Sequence, residues 1–172
     1  MRISVFVSCP SELNLNVQQR GARKVVTDLL ERYKMEPRAL GRSDYPKDFP
    51  LREVLVLAKH CHGGIILGFE QLRVTQGELK PRSKNSKSII PAESVALPSP
   101  WNQLEAGILL GLRLPLMIFR EADVYGGVFD VGTTEVFVHP MPPARPTRAK
   151  QDELEHVFLK WSAAVQAHYE AF

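Results

Sequence analysis

The chain alternates between short apolar runs and longer amphipathic stretches. Ile3 to Ser8 comes first, with Val5, Phe6 and Val7 continuous, and reads as a buried strand. After the turn Cys9-Pro10-Ser11-Glu12, residues 16 to 34 are patterned as a helix. Ala22, Val25, Val26, Leu29, Leu30 and Tyr33 share one face, and Arg20, Arg23, Lys24, Asp28 and Glu31 lie largely elsewhere. Pro37 allows only a short extended piece, roughly residues 36 to 40, and Gly41 to Pro50 is a loop by every turn signal. A second helix is predicted over 51–61, with Leu51, Val54, Leu55 and Ala58 inward, and a third strand over 63–69. Residues 70 to about 98 read as a long basic and polar insertion without regular structure, including Lys80-Pro81-Arg82-Ser83-Lys84. A loop of that length is either flexible or functional, as a lid or a partner surface.

The best-marked element follows. Ser99 is an N-cap whose hydroxyl can accept a first-turn N–H, and Pro100 occupies the first helical position, where its missing N–H costs nothing. Trp101, Leu104, Ile108 and Leu112 recur at helical spacing and are expected to face the core. Leu114 to Phe119 is the next buried strand, Gly126-Gly127 a turn, and Thr134 to His139 a fifth strand. Met141 to Pro146 is a stiff linker. A last helix over about 148–172 has Leu154, Val157, Phe158, Trp161 and Val165 as its stripe. Strands joined by helices over 1–172 predict a single α/β domain: a flavodoxin-like, doubly wound, mainly parallel sheet of about five strands.

Composition changes this picture little. The 22 basic and 19 acidic side chains leave a net charge of +3, too mild to argue for nucleic acid as the direct ligand. No apolar run reaches the roughly 20 residues of a membrane span, and the chain enters a strand-like pattern at once, without a signal-peptide region. No membrane partner and a cytoplasmic location are therefore expected. Cys9 and Cys61 are the only cysteines, and His60 and His62 flank Cys61. In a parallel sheet Cys9 would end its strand while Cys61 and the histidines would precede theirs, which argues against a shared metal. No metal and no resident cofactor are expected.

The candidate chemistry rests on Glu105, one helical turn beyond Trp101 among small and apolar residues. A carboxylate there needs a reason, either solvent and a nearby cation or a function. In open α/β sheets ligands bind outside the carboxyl ends of the strands, where such a helix starts. Other loop groups at that end are Cys9, Pro10 and Ser11 after the first strand, Arg42, Ser43, Asp44 and Tyr45 after the second, and Phe69 after the third. No glycine-rich phosphate loop opens a helix, and no G-x-S-x-G elbow or histidine triad is evident. One carboxylate with aromatic neighbours suits cleavage of an N-glycosidic bond. It stabilises a positive, oxocarbenium-like transition state or attacks the sugar itself. Tyr45, Phe69 or Trp101 could stack on a base or belong to the core, and Arg42 could meet a phosphate.

Ser99-x-Trp101-x-x-x-Glu105 resembles the S-x-W-C-x-x-E motif of TIR domains, with Asn102 where cysteine is usual. Val5-Phe6-Val7-Ser8 resembles that family's opening strand, Gly41 to Pro50 stands where its BB loop stands, and Ile65-Ile66-Leu67 matches its third strand. The similarity covers about residues 1 to 120. Glu105-Ala106-Gly107 followed by Leu114-Pro115-Leu116 is also similar to nucleoside 2-deoxyribosyltransferases, whose glutamate is a nucleophile. The TIR resemblance implies that Glu105 cleaves the nicotinamide–ribose bond of NAD, as a substrate rather than a cofactor. It implies hydrolysis or cyclisation, a role in bacterial anti-phage defence, and self-association or an activating protein partner. Two other readings stay open: a nucleoside N-glycosidase or deoxyribosyltransferase, and a non-catalytic nucleotide-binding or adaptor module. Under any of them Cys9, Ser11, Arg42, Ser43, Asp44, Tyr45, Phe69, Trp101 and Asn102 are the candidate contacts around Glu105.

Overall fold

The computed structural model describes residues 2–39 and 49–171. Five strands form one sheet: β1 (Ile3–Ser8), β2 (Met35–Arg38), β3 (Gly64–Gly68), β8 (Leu116–Arg120) and β9 (Val138–Pro140). Their spatial order is β2-β1-β3-β8-β9, and every pairing is parallel. This is the flavodoxin-like order, with the reversal of direction between β1 and β3.

Period-two alternation along the strands separates two cores. Val5, Ile65, Leu67, Met117 and Phe119 face one side, under α1 (Val17–Arg32) and α4 (Arg148–Glu170). Phe6, Ile66 and Ile118 face the other, under α2 (Pro50–Lys59) and α3 (Pro100–Gly111). α1 starts in a capping box, with Asn16 and Gln19 bonded reciprocally, at 2.9 and 3.1 Å. α3 ends in a Schellman turn, Leu114 N–H to the Leu109 carbonyl at 3.1 Å, with Arg113 at φ +57° in the place glycine usually takes. α4 is tied to the amino ends of the strands by Trp161 Nε1, which donates to the Pro115 carbonyl at 3.0 Å.

The insertion departs from expectation. It is a ribbon, not a structureless loop: β4 (Leu72–Val74) pairs antiparallel with β7 (Val95–Leu97), and β5 (Gly77–Leu79) with β6 (Lys87–Ile89). Its base is locked to the segment that follows β8. Arg73 bridges Glu70 and Asp123, and fully buried Ala96 makes a β-bridge with Val124. Three-residue strands give too little periodicity to be read from sequence.

Three smaller corrections follow from helix phase and strand length. On α2 the buried residues are Val54, Leu57 and Ala58, while Leu51 and Leu55 are exposed. On α3 they are Asn102, Ala106 and Leu109. Trp101 and Leu104, expected inside, are 43% and 49% exposed, and Ile108 and Leu112 are half-buried. The close approach of α3 to β3 sets this phase, because a Cβ on Gly64 would lie 2.8 Å from Leu109 Cδ1. The fifth strand is only Val138–Pro140, shorter than the 134–139 alternation predicts.

Candidate functional site

Ser8 is the last residue of β1, in phase with Phe6, so its side chain faces α3. α3 begins directly above it. Ser99 caps that helix by accepting the Trp101 N–H at 3.3 Å, and Pro100 occupies the first turn. The first turn then places Asn102 over Ser8: Asn102 Nδ2 donates to Ser8 Oγ at 2.7 Å, and both residues are 1% exposed. One turn further, Glu105 lines the same cleft as Asn102.

A cleft of about 240 Å³ opens there, outside the carboxyl end of β1. Its walls are Cys9, Pro10, Ser11 and Asn14 from the segment after β1, and Ser99, Trp101, Asn102 and Glu105 from α3. Gln71, at the base of the ribbon, completes it. Gln71 is held by its backbone N–H to the Leu97 carbonyl at 2.9 Å, and its Nε2 donates to the Glu70 and Asn14 carbonyls. The insertion therefore supplies one wall of the cleft.

Burial pushes the Glu105 carboxyl up to about 7, and the Ser8 hydroxyl opposes this by favouring the anion. Among the described residues no cation pairs with Glu105. Burial pushes the Cys9 thiol up to about 12, lowered somewhat by the Arg23 charge and raised by Glu105, so near neutral pH it is a protonated thiol and a poor nucleophile. The site thus holds one carboxyl that titrates near neutrality, a half-exposed indole at the rim and a ring of neutral hydrogen-bonding groups. It can stabilise a developing cation or attack an electrophilic carbon, with apolar stacking beside it.

Of the residues singled out from sequence, Cys9, Ser11, Trp101, Asn102 and Glu105 meet in this cleft. Phe69 does not. It is 0% exposed and packs in the core under α1 and α4, because the chain turns inward after β3. Arg42, Ser43, Asp44 and Tyr45 lie outside the described residues. Ser8, Asn14 and Gln71 went unrecognised. Ser8 had a signal, a hydroxyl in phase with Phe6 at the end of a buried strand; Asn14 and Gln71 had none. Cys9 and Cys61 lie at opposite ends of the sheet, since Cys9 follows β1 while His62 N–H bonds the Ser4 carbonyl near its start.

Comparison with family models, curated proteins and solved structures finds no match for this chain. Among the described residues no helix is long and apolar enough to cross a membrane.

Proposed function

We propose that this protein is a TIR-like enzyme that cleaves the nicotinamide–ribose bond of NAD, with Glu105 as its catalytic residue. The observation that carries the reading is a carboxyl, mostly buried and without a cation partner among the described residues, in a cleft at the strand-order reversal. The C1′–N bond breaks and its electron pair returns to the pyridinium, so nicotinamide leaves neutral and needs no acid. The anion of Glu105 stabilises the ribosyl cation or bonds to C1′; water, which gives its proton to solvent, or a base nitrogen of the same molecule then bonds to C1′ and leaves Glu105 as the free anion. Trp101 at the rim is placed to stack on a planar ring, and Ser11, Asn14 and Gln71 offer hydrogen bonds to a sugar. The function belongs in cytoplasmic anti-phage signalling, with a second copy or a protein activator switching the enzyme on.

One observation favours a second reading. A 240 Å³ cleft falls below the roughly 300–1,000 Å³ of drug-sized pockets and matches a single nucleoside better than a whole dinucleotide. In a nucleoside N-glycosidase or deoxyribosyltransferase, Glu105 would be the nucleophile and the departing base would need a proton. Incubation at high protein concentration with NAD, and separately with nucleosides and 2′-deoxynucleosides, separates the two when products are resolved by chromatography. Nicotinamide with ADP-ribose or its cyclic form is the expected result. Free base from a nucleoside with NAD intact transfers the assignment to the second reading.

A further inference from the structure

The charge of this chain is not spread evenly. Residues 75–90 hold Lys80, Arg82, Lys84 and Lys87 against one carboxylate, Glu78, a net charge of +3. The whole chain also carries +3, so the rest of it is neutral overall. The mild average conceals a concentrated basic patch.

The fold gathers that patch at the tip of the ribbon. β5 and β6 pair antiparallel, with Leu79 opposite Lys87, and the turn between them carries Lys80, Arg82 and Lys84. Every residue from 75 to 88 is exposed. The turn is held in shape: the Ser83 hydroxyl donates to the Lys80 carbonyl at 2.8 Å and accepts the Asn85 N–H at 3.2 Å, and the Ser86 N–H bonds the Ser83 carbonyl at 3.1 Å. Local carboxylates do not neutralise it. Glu78 accepts the Ser86 hydroxyl, and Glu93 pairs with Lys87 at 2.8 Å. Lys80, Arg82 and Lys84 have no ion-pair partner among the described residues. Three like charges on one tight turn repel each other, and an anionic body seated on them removes that cost.

The chemistry of the ribbon narrows the partner. Between Phe69 and Trp101 the chain has no aromatic residue. Membrane-surface elements set Trp, Phe or several Leu beside their cations, and here Leu79 is the one large apolar side chain exposed within 75–88. Single-stranded nucleic acid is held by bases stacked on aromatic rings, which are missing. Phosphates of a duplex need only cations and small hydrogen-bonding groups, and Ser83, Asn85, Ser86 and Ser88 stand among the cations. The major groove of B-form DNA admits a two-stranded ribbon, whereas that of duplex RNA is too narrow. We propose that the β5–β6 hairpin is an arm that binds the phosphate backbone of double-stranded DNA without reading its sequence. The arm is independent of the reading of Glu105.

Fluorescence anisotropy of a labelled DNA duplex of about 20 base pairs, titrated with the full chain, tests this. Three phosphate contacts predict a log–log salt slope of about −2.7, so affinity should fall about 40-fold from 50 to 200 mM salt. Lys84→Ala should reduce the slope by about 1. Lys80→Ala, Arg82→Ala and Lys84→Ala combined should abolish binding and leave the urea midpoint unchanged, because all three side chains are exposed. A control variant loses the same charge from exposed sites on α4, with Arg148→Ala, Lys150→Ala and Lys160→Ala combined, and should bind as wild type does. No duplex binding at 50 mM salt, wild-type binding by the hairpin variant, or equal weakening in the control overturns the proposal. So does a preference for the single strand, or for vesicles of phosphatidylserine and phosphatidylcholine, over the duplex. NAD turnover is not needed for any of these measurements, so the arm and the nicotinamide reading stand or fall separately.

Discussion

At pH 8 the folded protein holds Glu105 mostly as an anion in a cleft that burial makes hostile to charge. Its folded value, about 7, lies above the ordinary 4.5, so between these two pH values the folded state binds more protons than the unfolded state. Stability contributed by this group therefore falls as pH rises from 4.5 to 7, and the penalty is complete above 7. Glu105→Gln removes it. Urea denaturation should find this variant more stable than wild type by about 1–3 kcal/mol at pH 8, with the gain vanishing near pH 4.5. A gain that is the same at both pH values would contradict the assignment. Glu105 was legible in the sequence because a lone carboxylate interrupts an apolar helix just after its cap. Ser8, which holds Asn102 at the start of the same helix, was legible in principle, from strand parity. Phe69 was misplaced because sequence order shows that a residue follows a strand, not whether the chain then turns inward.

Helical spacing is easier to read than helical phase. α3 is apolar over a wide arc, so several stripes fit its sequence; contact with Gly64 and Ser8 selects the one through Asn102, Ala106 and Leu109. That choice rotates Trp101 and Leu104 outward and Glu105 into the cleft. The ribbon was missed for a different reason. Its strands are three residues long, and its anchoring lies in tertiary contacts of Arg73 and Ala96 that no local pattern announces. Ala96→Asp would bury an unpaired charge where the ribbon crosses Val124. It should cost about 2–4 kcal/mol, seen as a lowered urea midpoint, and should weaken binding in the cleft through displacement of Gln71. Wild-type stability in this variant would mean that the ribbon is not anchored to the domain as described.

For the molecule as a whole, alternating strands and helices were enough to specify the layered α/β architecture. Buried parallel strands read as continuous apolar runs, and helices of ten or more residues carry a clear period. The site follows from that topology more than from any motif. Reversal of strand order between β1 and β3 leaves a crevice, and the capped start of α3 lowers a carboxyl into it. Under the proposed function this carboxyl, as an anion, breaks the bond between nicotinamide and ribose. Nicotinamide release from NAD, followed at pH 8 and pH 6 for wild type and Glu105→Gln, tests it most directly. Wild type should be slower at pH 6 by about tenfold, as Glu105 takes up its proton, and Glu105→Gln slower at pH 8 by about 100-fold or more. Nicotinamide release by Glu105→Gln at the wild-type rate would contradict the account.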